Sequence, residues 1–473
     1  MKLFTNSMEV DTRLGVAERT AYGLGNFANA FIFIAIMAFL TFYYTDVIGL
    51  NAGVIGIIML VSRVFDGITD LVMGYIVDHT KPSRFGKART WFLRSCIPFA
   101  ISGVLVFMVP SGASDIIKYI FVFLTYNLCN AIFYTAVTVS YNTLMVNITR
   151  NSLERGILGI FLMVCSTLGG LVVTSSCLNL VDFFGGDASA WTKTVLVYSI
   201  IGLIAHLICI FGTKERVVED PAAETAENSI QREKAPGFVE SFKYLIKNKY
   251  WIMLVGSFAV YWIGYTLMNS GHIYYAQYIL GDQGYQPVIA NVIQVVTLIA
   301  MLAAFIPMRL LGKGNSVRIG ALIAVIAYAL QIFVARDYTG ILICSALKGF
   351  GYGMFCAVIG GMNPDALDYG EWKFHKNVTG MGVAAVSFGQ KVGTGLGGAI
   401  FGLVLDMGHY DGTAAVQAES ALRSISINYT WLPLICAILS LVFMLGYNLD
   451  KKLPQIQEEL KNGRAEVKKN TAN

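Results

Sequence analysis

Residues 54–78 read VIGIIMLVSRVFDGITDLVMGYIVD, an apolar stretch long enough to cross a lipid bilayer. Three charged side chains, Arg63, Asp66 and Asp70, lie near its middle. A charge near the bilayer centre costs about 2.5–3.5 kcal/mol on insertion scales, so charged residues in membrane helices usually mark functional sites. The segment therefore predicts a membrane-spanning helix with a functional site inside it.

The whole chain has the composition of a membrane protein. Of its 473 residues, 55% are hydrophobic and only 14% are charged, whereas a soluble domain carries about 25% charged residues. About twelve apolar runs follow one another between residues 20 and 449, each close to the length that spans a bilayer. These runs predict an all-α polytopic membrane protein with twelve transmembrane helices.

A long hydrophilic stretch divides the predicted helices into two sets of six. The two six-helix halves with a central loop have the layout of the major facilitator fold, whose halves are built from repeats around a midplane site. The predicted parts are a cytoplasmic N-terminus at 1–19, an N-terminal six-helix bundle at 20–211, a cytoplasmic central loop at 212–250, a C-terminal six-helix bundle at 251–449 and a cytoplasmic tail at 450–473.

The basic residues predict the orientation of the chain in the membrane. With an even number of helices, both termini lie on one side, and most lysines and arginines fall in the loops of that side. The loops of the other side contain only Lys118, Lys193, Arg336 and Arg423. Because cytoplasmic loops are enriched in Lys and Arg, we expect both termini in the cytoplasm. The protein itself is expected in the cell (inner or plasma) membrane.

The two carboxylates of the second predicted helix suit a cation. Asp66 and Asp70 are four residues apart and share a helix face, so their mutual repulsion favours a bound proton or a shared cation such as Na⁺ or Li⁺. Arg63 could neutralise part of this charge when the site is empty. The alternative is a structural salt bridge of either aspartate with Arg63 or Lys391. Lys391 is the lone charge of the eleventh predicted helix. It either forms a purely structural ion pair, or acts as the counter-ion of the two aspartates or as a substrate contact.

Neutral polar residues on two other predicted helices are candidates for a sugar cavity. Thr138 and Asn142 stack one turn apart on helix 4, although such groups serve interhelical hydrogen bonding equally well. Tyr265 and Asn269 lie near one face of helix 7, where they could stack on a sugar and donate hydrogen bonds to it.

The sequence predicts no enzyme. Gly393, Gly395 and Gly398 match the dinucleotide-binding pattern GxGxxG, but no strand precedes them, so they indicate close helix packing or a bend. No HExxH, GxSxG or P-loop signature is present. We expect no cofactor apart from a coupling cation, and no nucleic-acid partner.

Several motifs resemble one known family. The stretch RVFDGITDLVMGYIVDHTKPSRFGKARTW, the first-helix segments YGLGNFANAFIF and FYYTDVIGL, the loop DALDYGEWKFH and the segment FGQKVGTGLGG occur in the order found in the glycoside–pentoside–hexuronide:cation symporters. This family is the melibiose-permease group of the major facilitators. The resemblance covers nearly the whole chain.

The resemblance implies roles for individual residues. Asp66 and Asp70 correspond to the cation-binding carboxylates, Thr135 to a hydroxyl of the cation site, and Thr69 to a position that varies with cation preference. Lys391 corresponds to a lysine near the cation site. The cytoplasmic gate motif of the family corresponds to Asp365, Asp368, Tyr369 and Glu371.

The chain also departs from the melibiose permeases, in which carboxylates on helices 1 and 4 bind the hydroxyls of galactosides. Ala30 and Thr138 stand at those places, so galactoside binding of that kind is not expected. The loss of two acids beside a retained lysine favours an anionic hexuronide or glucuronide, while a neutral pentoside or glycoside stays possible. The predicted substrate-binding residues are Asn29, Ala30, Thr138, Asn142, Tyr265, Asn269 and Gln390.

These observations predict a monomeric secondary active transporter that couples Na⁺ or H⁺ to sugar or glycoside uptake by alternating access. Two alternatives stay open. The first is a cation-coupled carrier of an amphipathic lysolipid-like solute, and the second is a transport-dead solute sensor.

Overall fold

The computed structural model describes residues 14–79, 86–110, 112–149, 152–216, 238–374, 379–414, 416–456 and 458–459. The regular elements of this part of the chain are helices, which confirms the predicted all-α class. In chain order they are α1 (Val16–Ala35), α2 (Ala52–His79), α3 (Ala88–Val106), α4 (Asp115–Asn127), α5 (Thr135–Ile148), α6 (Ser152–Phe183), α7 (Ala188–Gly212), α8 (Phe238–Lys247), α9 (Lys249–Tyr274), α10 (Tyr285–Ala303), α11 (Phe305–Leu311), α12 (Lys313–Phe333), α13 (Tyr338–Phe374), α14 (Thr379–Met407), α15 (Glu419–Ser426) and α16 (Leu432–Leu445).

Wider π-helical turns extend or join several of these helices. Such turns often occur at functional sites. One turn, Leu128–Tyr134, joins α4 to α5 in a continuous rod. The others are Ile36–Leu40 and Tyr43–Val47 after α1, Tyr275–Ile279 after α9, and Ile427–Trp431 between α15 and α16.

Many of the helices can cross a membrane. Within the described ranges, nine helical segments are both long and apolar enough to do so. Three further helices, α2, α3 and α14, have 28, 19 and 29 residues, and about 20 residues are enough to span the hydrocarbon core. This is consistent with the predicted twelve. The chain is thus a multi-pass membrane protein.

The chain folds into two compact units. The first comprises Met1–Val218, Leu267–Gln294 and Gly398–Tyr429. The second comprises Glu219–Thr266, Val295–Gly397 and Thr430–Asn473. The boundaries of the two six-helix bundles, inferred from the sequence, stay a prediction.

In the first unit, α1 packs against α6 and α7, α3 packs against α5 and α7, and α2 packs against α4 and α5. Glycines allow close approach of the backbones, as is common between membrane helices. A Cβ atom added at Gly169 of α6 would lie 2.7 Å from the carbonyl oxygen of Phe27 on α1. A Cβ at Gly56 of α2 would lie 3.0 Å from the carbonyl oxygen of Ala399 at the end of α14.

In the second unit, α12 packs against α13 and α16. Gly393, the first glycine of the GxGxxG match, and its neighbour Gly397 pack closely against another helix, as the packing interpretation predicts, while the alternative of a bend stays untested. A Cβ at Gly393 would lie 2.5 Å from the carbonyl oxygen of Ala259, and one at Gly397 would lie 2.9 Å from that of Ile263. Glycines four residues apart therefore let α14 lie directly on the backbone of α9.

This packing predicts that a side chain at Gly393 destabilises the fold. Gly393→Val should lower the midpoint of thermal unfolding of the detergent-solubilised protein by several degrees, because overpacking typically costs about 1–3 kcal/mol. Gly156→Ala is the matched control, since nothing lies within 4 Å of a Cβ at that exposed helical position. A midpoint for Gly393→Val at or above that of Gly156→Ala would contradict the packing assignment.

Candidate functional site

Helix α2 carries the two predicted cation-binding carboxylates in the first unit. Asp66 is buried, with 4% of its surface exposed, and Asp70 is partly buried. One helical turn separates them, as their spacing predicts. Both side chains are therefore withdrawn from bulk water and need compensating partners.

Arg63 supplies one of these partners. Its Nη1 atom donates to Asp66 Oδ2 at 2.8 Å, and its Nη2 atom donates to the hydroxyl of Tyr126 on α4 at 3.1 Å. The guanidinium therefore lies between α2 and α4 and neutralises one carboxylate. The Arg63–Asp66 salt bridge, one of the pairings that the sequence left open, is thus present in this conformation. The role of Arg63 as a counter-ion during transport stays a prediction.

Thr135 partners the other carboxylate. Its hydroxyl donates to Asp70 Oδ1 at 3.0 Å, and its side chain is 2% exposed. Thr135 is the first residue of α5, directly after the π-helical turn Leu128–Tyr134. The extra residue of such a turn rotates the following helix by about 100°, one residue of α-helix. This rotation decides which residues of α5 face α2.

Other polar residues complete the surroundings of the pair. The hydroxyl of Thr69 bonds to its own helix, 3.1 Å from the carbonyl oxygen of Phe65. Asn127 on α4 donates from Nδ2 to Ser62 Oγ at 2.8 Å. Ser62 and Tyr126 were not predicted from the sequence to belong to the site. Ser62 could have been found, since it precedes Asp66 by one turn on the same face.

This arrangement can bind a small cation. Carboxylate and hydroxyl oxygens are the ligands that hard cations prefer, and Asp66, Asp70 and Thr135 offer them within one interior region of the first unit. A proton could occupy the same carboxylates. Among the described residues, no three His, Cys, Asp or Glu side chains form a group that could hold a metal ion.

The predicted substrate residues of the first unit lie in different surroundings. Asn29 is 2% exposed, and its Oδ1 atom lies 3.0 Å from Nε2 of His206 on α7. Ala30 is buried, and a Cβ added at Gly169 would lie 2.9 Å from the Cβ of Ala30. Thr138 donates to the carbonyl oxygen of Tyr134 at 2.9 Å.

Asn29 and Ala30 thus belong to the packing of α1 against α6 and α7. Asn142 is exposed, and Asn269 is partly buried. The substrate-binding role of these four residues and of Thr138 stays a prediction.

The second unit contains an aromatic cluster around Tyr265. The ring centroid of Tyr265 lies 5.2 Å from that of Trp262, 6.1 Å from that of Tyr261 and 5.8 Å from that of Tyr352. Rings of this kind suit stacking on a sugar. Trp262 and Tyr352 were not singled out from the sequence. Tyr352 lies on α13, and sequence spacing alone does not show that it meets α9.

Lys391 and Lys348 both lie away from the ends of their helices in the second unit. Lys391 and its neighbour Gln390 are partly buried on α14. Lys391 is two residues from Gly389 and from Gly393, so it lies on nearly the opposite side of α14 from the glycines that pack on α9. Lys348 of α13 was not predicted from the sequence as a functional candidate. It is fully buried, and its Nζ donates to Gln331 Oε1 at 2.7 Å.

The predicted gate residues lie at the end of α13. Asp365 is 6% exposed and forms an ion pair with Lys313 at the start of α12, with an Nζ–Oδ2 distance of 2.6 Å. Tyr369 is buried, its ring centroid 4.8 Å from that of Tyr250. Asp368 and Glu371 are partly buried. The gate motif is thus part of a packed ionic and aromatic junction, and its gating role stays a prediction.

Comparison with known proteins gives a consistent result. A family model described as MFS/sugar transport protein matches residues 21–451. The chain is 30% identical to the isoprimeverose transporter of Lactiplantibacillus pentosus, over 95% of this chain and 92% of that protein. It is 29% identical to the inner membrane symporter YicJ of Escherichia coli (strain K12), over 95% of this chain and 96% of that protein. Among solved structures, a D-xylose–proton symporter matches with a TM-score of 0.65 at 16% identity, over 92% of this chain and 98% of that one, which supports the fold.

The Asp70–Thr135 contact predicts a specific loss of cation affinity. Thr135→Ala should weaken Na⁺ or Li⁺ binding about tenfold, because the variant removes an oxygen that can ligate a hard cation beside Asp70, while Thr135→Ser should bind nearly as well as the parent protein. Titration of the purified protein with Na⁺ and with Li⁺ measures the effect.

Thr143→Ala is the matched control, since the Thr143 hydroxyl bonds to the carbonyl oxygen of Val139 on its own helix. Equal cation affinities for the Thr135→Ala and Thr143→Ala variants would remove Thr135 from the site.

Proposed function

Because the chain belongs to the MFS/sugar transport protein family, we propose that it is a secondary active transporter that moves a sugar or glycoside together with a cation. The observation that carries this proposal is the group formed by the buried residues Asp66 and Thr135 with the partly buried residues Arg63 and Asp70 on membrane helices. Such a group is costly without a function. The likeness to a sugar transporter and to a symporter over 95% of the chain supports the same assignment.

The charges suggest how coupling arises. With the site empty, Arg63 balances Asp66, while Asp70 has the hydroxyl of Thr135 as a hydrogen-bond donor. An added Na⁺, Li⁺ or H⁺ makes the carboxylate pair less negative, which lowers the cost of a closed, dehydrated state. Substrate that binds better to this state stabilises cation binding by the same factor. The membrane potential then contributes about 2.3 kcal/mol per charge per 100 mV.

The substrate class is a sugar or glycoside, as the family membership supports. An anionic hexuronide is favoured by the missing acids at Ala30 and Thr138, and a neutral pentoside by the likeness to an isoprimeverose transporter. We further propose that the protein acts as a monomer in the cell membrane with both termini in the cytoplasm, which the distribution of basic residues supports.

The coupling role of the aspartates makes a direct prediction. Asp66→Cys and Asp70→Cys should each abolish cation-driven uptake in membrane vesicles, whereas exchange of preloaded substrate can persist, because exchange needs no return of the empty carrier. Asp115→Cys is the control, since Asp115 is exposed at the start of α4. Undiminished active uptake in both site variants would refute the cation-site assignment.

A panel of labelled sugars identifies the substrate and the cation together. Vesicles containing the protein should accumulate at least one pentoside, glycoside or hexuronide when a Na⁺ gradient or a pH gradient is imposed separately. Accumulation should follow one gradient and disappear when that gradient is collapsed. Sugar uptake that ignores both gradients would count against symport, and uptake of lysolipids instead of sugars would favour the carrier of amphipathic solutes.

A further inference from the structure

A further carboxyl group, that of Asp46, is partly buried and lies on the helix before α2, outside the cation pair. Asp46 follows the apolar span Val16–Leu40 and belongs to the π-helical turn Tyr43–Val47. The hydroxyls of Tyr278 and Tyr410 both donate to its Oδ1 atom, that of Tyr278 at 2.7 Å. The hydroxyl of Thr45 donates to Oδ2 at 2.6 Å.

These contacts join three separate segments of the first unit. Tyr278 lies in the turn after α9, and Tyr410 lies just after α14. Tyr274 of α9 extends the network, since its hydroxyl lies 2.7 Å from Thr45 Oγ1. The rings of Tyr278 and Tyr410 pack edge to face, 5.7 Å apart. We call the five residues Thr45, Asp46, Tyr274, Tyr278 and Tyr410 the Asp46 junction.

Within the described ranges, no positive charge balances Asp46. Its hydrogen-bond donors among the described residues are neutral hydroxyls, and the described part of the chain gives it no ion pair with Lys, Arg or His. The titratable groups that face it are the phenols of Tyr274, Tyr278 and Tyr410. Burial raises the pKa of Asp46 to about 6, although the hydroxyl donors act in the opposite direction.

We propose that Asp46 is a proton-binding site separate from the Asp66/Asp70 pair, and that a proton bound there stabilises the conformation in which the Asp46 junction is closed. A protonated carboxyl group keeps one oxygen as acceptor for the tyrosine hydroxyls and removes the uncompensated charge. The proposal rests on the proposed transport cycle, because alternating access moves the halves of such a transporter against each other. In the predicted division, α1 belongs to one half and α9 and α14 to the other.

The direction of the pH effect follows from proton linkage. A carboxyl group exposed to water titrates at about 3.9, so the closed junction binds the proton more tightly than an open one. The closed junction is therefore favoured at low pH and loses that advantage as the pH rises through about 6. Between pH 7.5 and pH 5 the equilibrium should shift about tenfold toward closure.

Infrared titration of the purified full chain tests the site itself, with the proton as the probe. The parent protein should show a protonated carboxyl band with a midpoint near pH 6, and Asp46→Asn should lack it. Tyr410→Phe should move the midpoint up by roughly one pH unit, because loss of a donor to the ionised form raises its proton affinity. Asp115→Asn is the control and should leave the band unchanged. A parent spectrum without this band, or a band that survives in Asp46→Asn, overturns the proposal.

Exchange of labelled sugar at saturating cation on both sides tests the effect on the cycle. The parent protein should exchange more slowly at pH 5 than at pH 7.5, and Asp46→Asn should be slow at both values, because its side chain stays neutral. An Asp46→Asn variant with the pH profile of the parent overturns the conformational role. If no sugar is exchanged by the parent while the infrared band is present, the proton site stands and the proposed function fails.

Discussion

The burial of charge on one membrane helix is the constraint on which the other features of this protein depend. Helix α2 must carry Asp66 and Asp70 through an apolar environment, where an uncompensated charge is strongly unfavourable. Arg63 offsets one carboxylate at 2.8 Å, and the Thr135 hydroxyl donates to the other at 3.0 Å. Both contacts exist only if α4, α5 and the π-helical turn between them are placed against α2. The electrostatic balance of these two side chains thus depends on the packing of three helices.

Close packing elsewhere meets a different requirement, since helices that must move relative to each other benefit from stiff internal units. Glycines place backbone against backbone at several crossings. In the first unit Gly169 of α6 packs against α1, and in the second unit Gly393 of α14 packs against α9. Such contacts leave little room for internal deformation. Other contacts inside the units are built from hydrogen bonds and ion pairs, such as the Asp46 junction and the Lys313–Asp365 pair.

Hydropathy and charge were enough to predict the all-α membrane fold, and the spacing of Asp66 and Asp70 was enough to predict a shared face. The family resemblance supplied Thr135. Residue spacing on the fourth predicted transmembrane helix, which comprises α4, the π-helical turn and α5, did not indicate it, because the turn changes the face that the following residues present. Lys348, Tyr126 and Tyr352 were missed since each meets its partner from another helix, and such a contact is a property of packing. For Asn29 and Ala30, the structure shows burial against neighbouring helices, which sequence alone could not distinguish from a cavity wall.

The central claim is that the Asp66/Asp70 pair links cation binding to sugar binding. Equilibrium dialysis of a transported sugar, with and without the coupling cation, measures this link, and the reverse titration measures the effect of sugar on cation affinity. The account predicts that the two affinity ratios are equal and lie in the range of about 5–150 typical of coupled sites, and that both fall to one in Asp70→Asn. A sugar affinity that does not depend on the cation, in a protein that still accumulates the sugar, would contradict it.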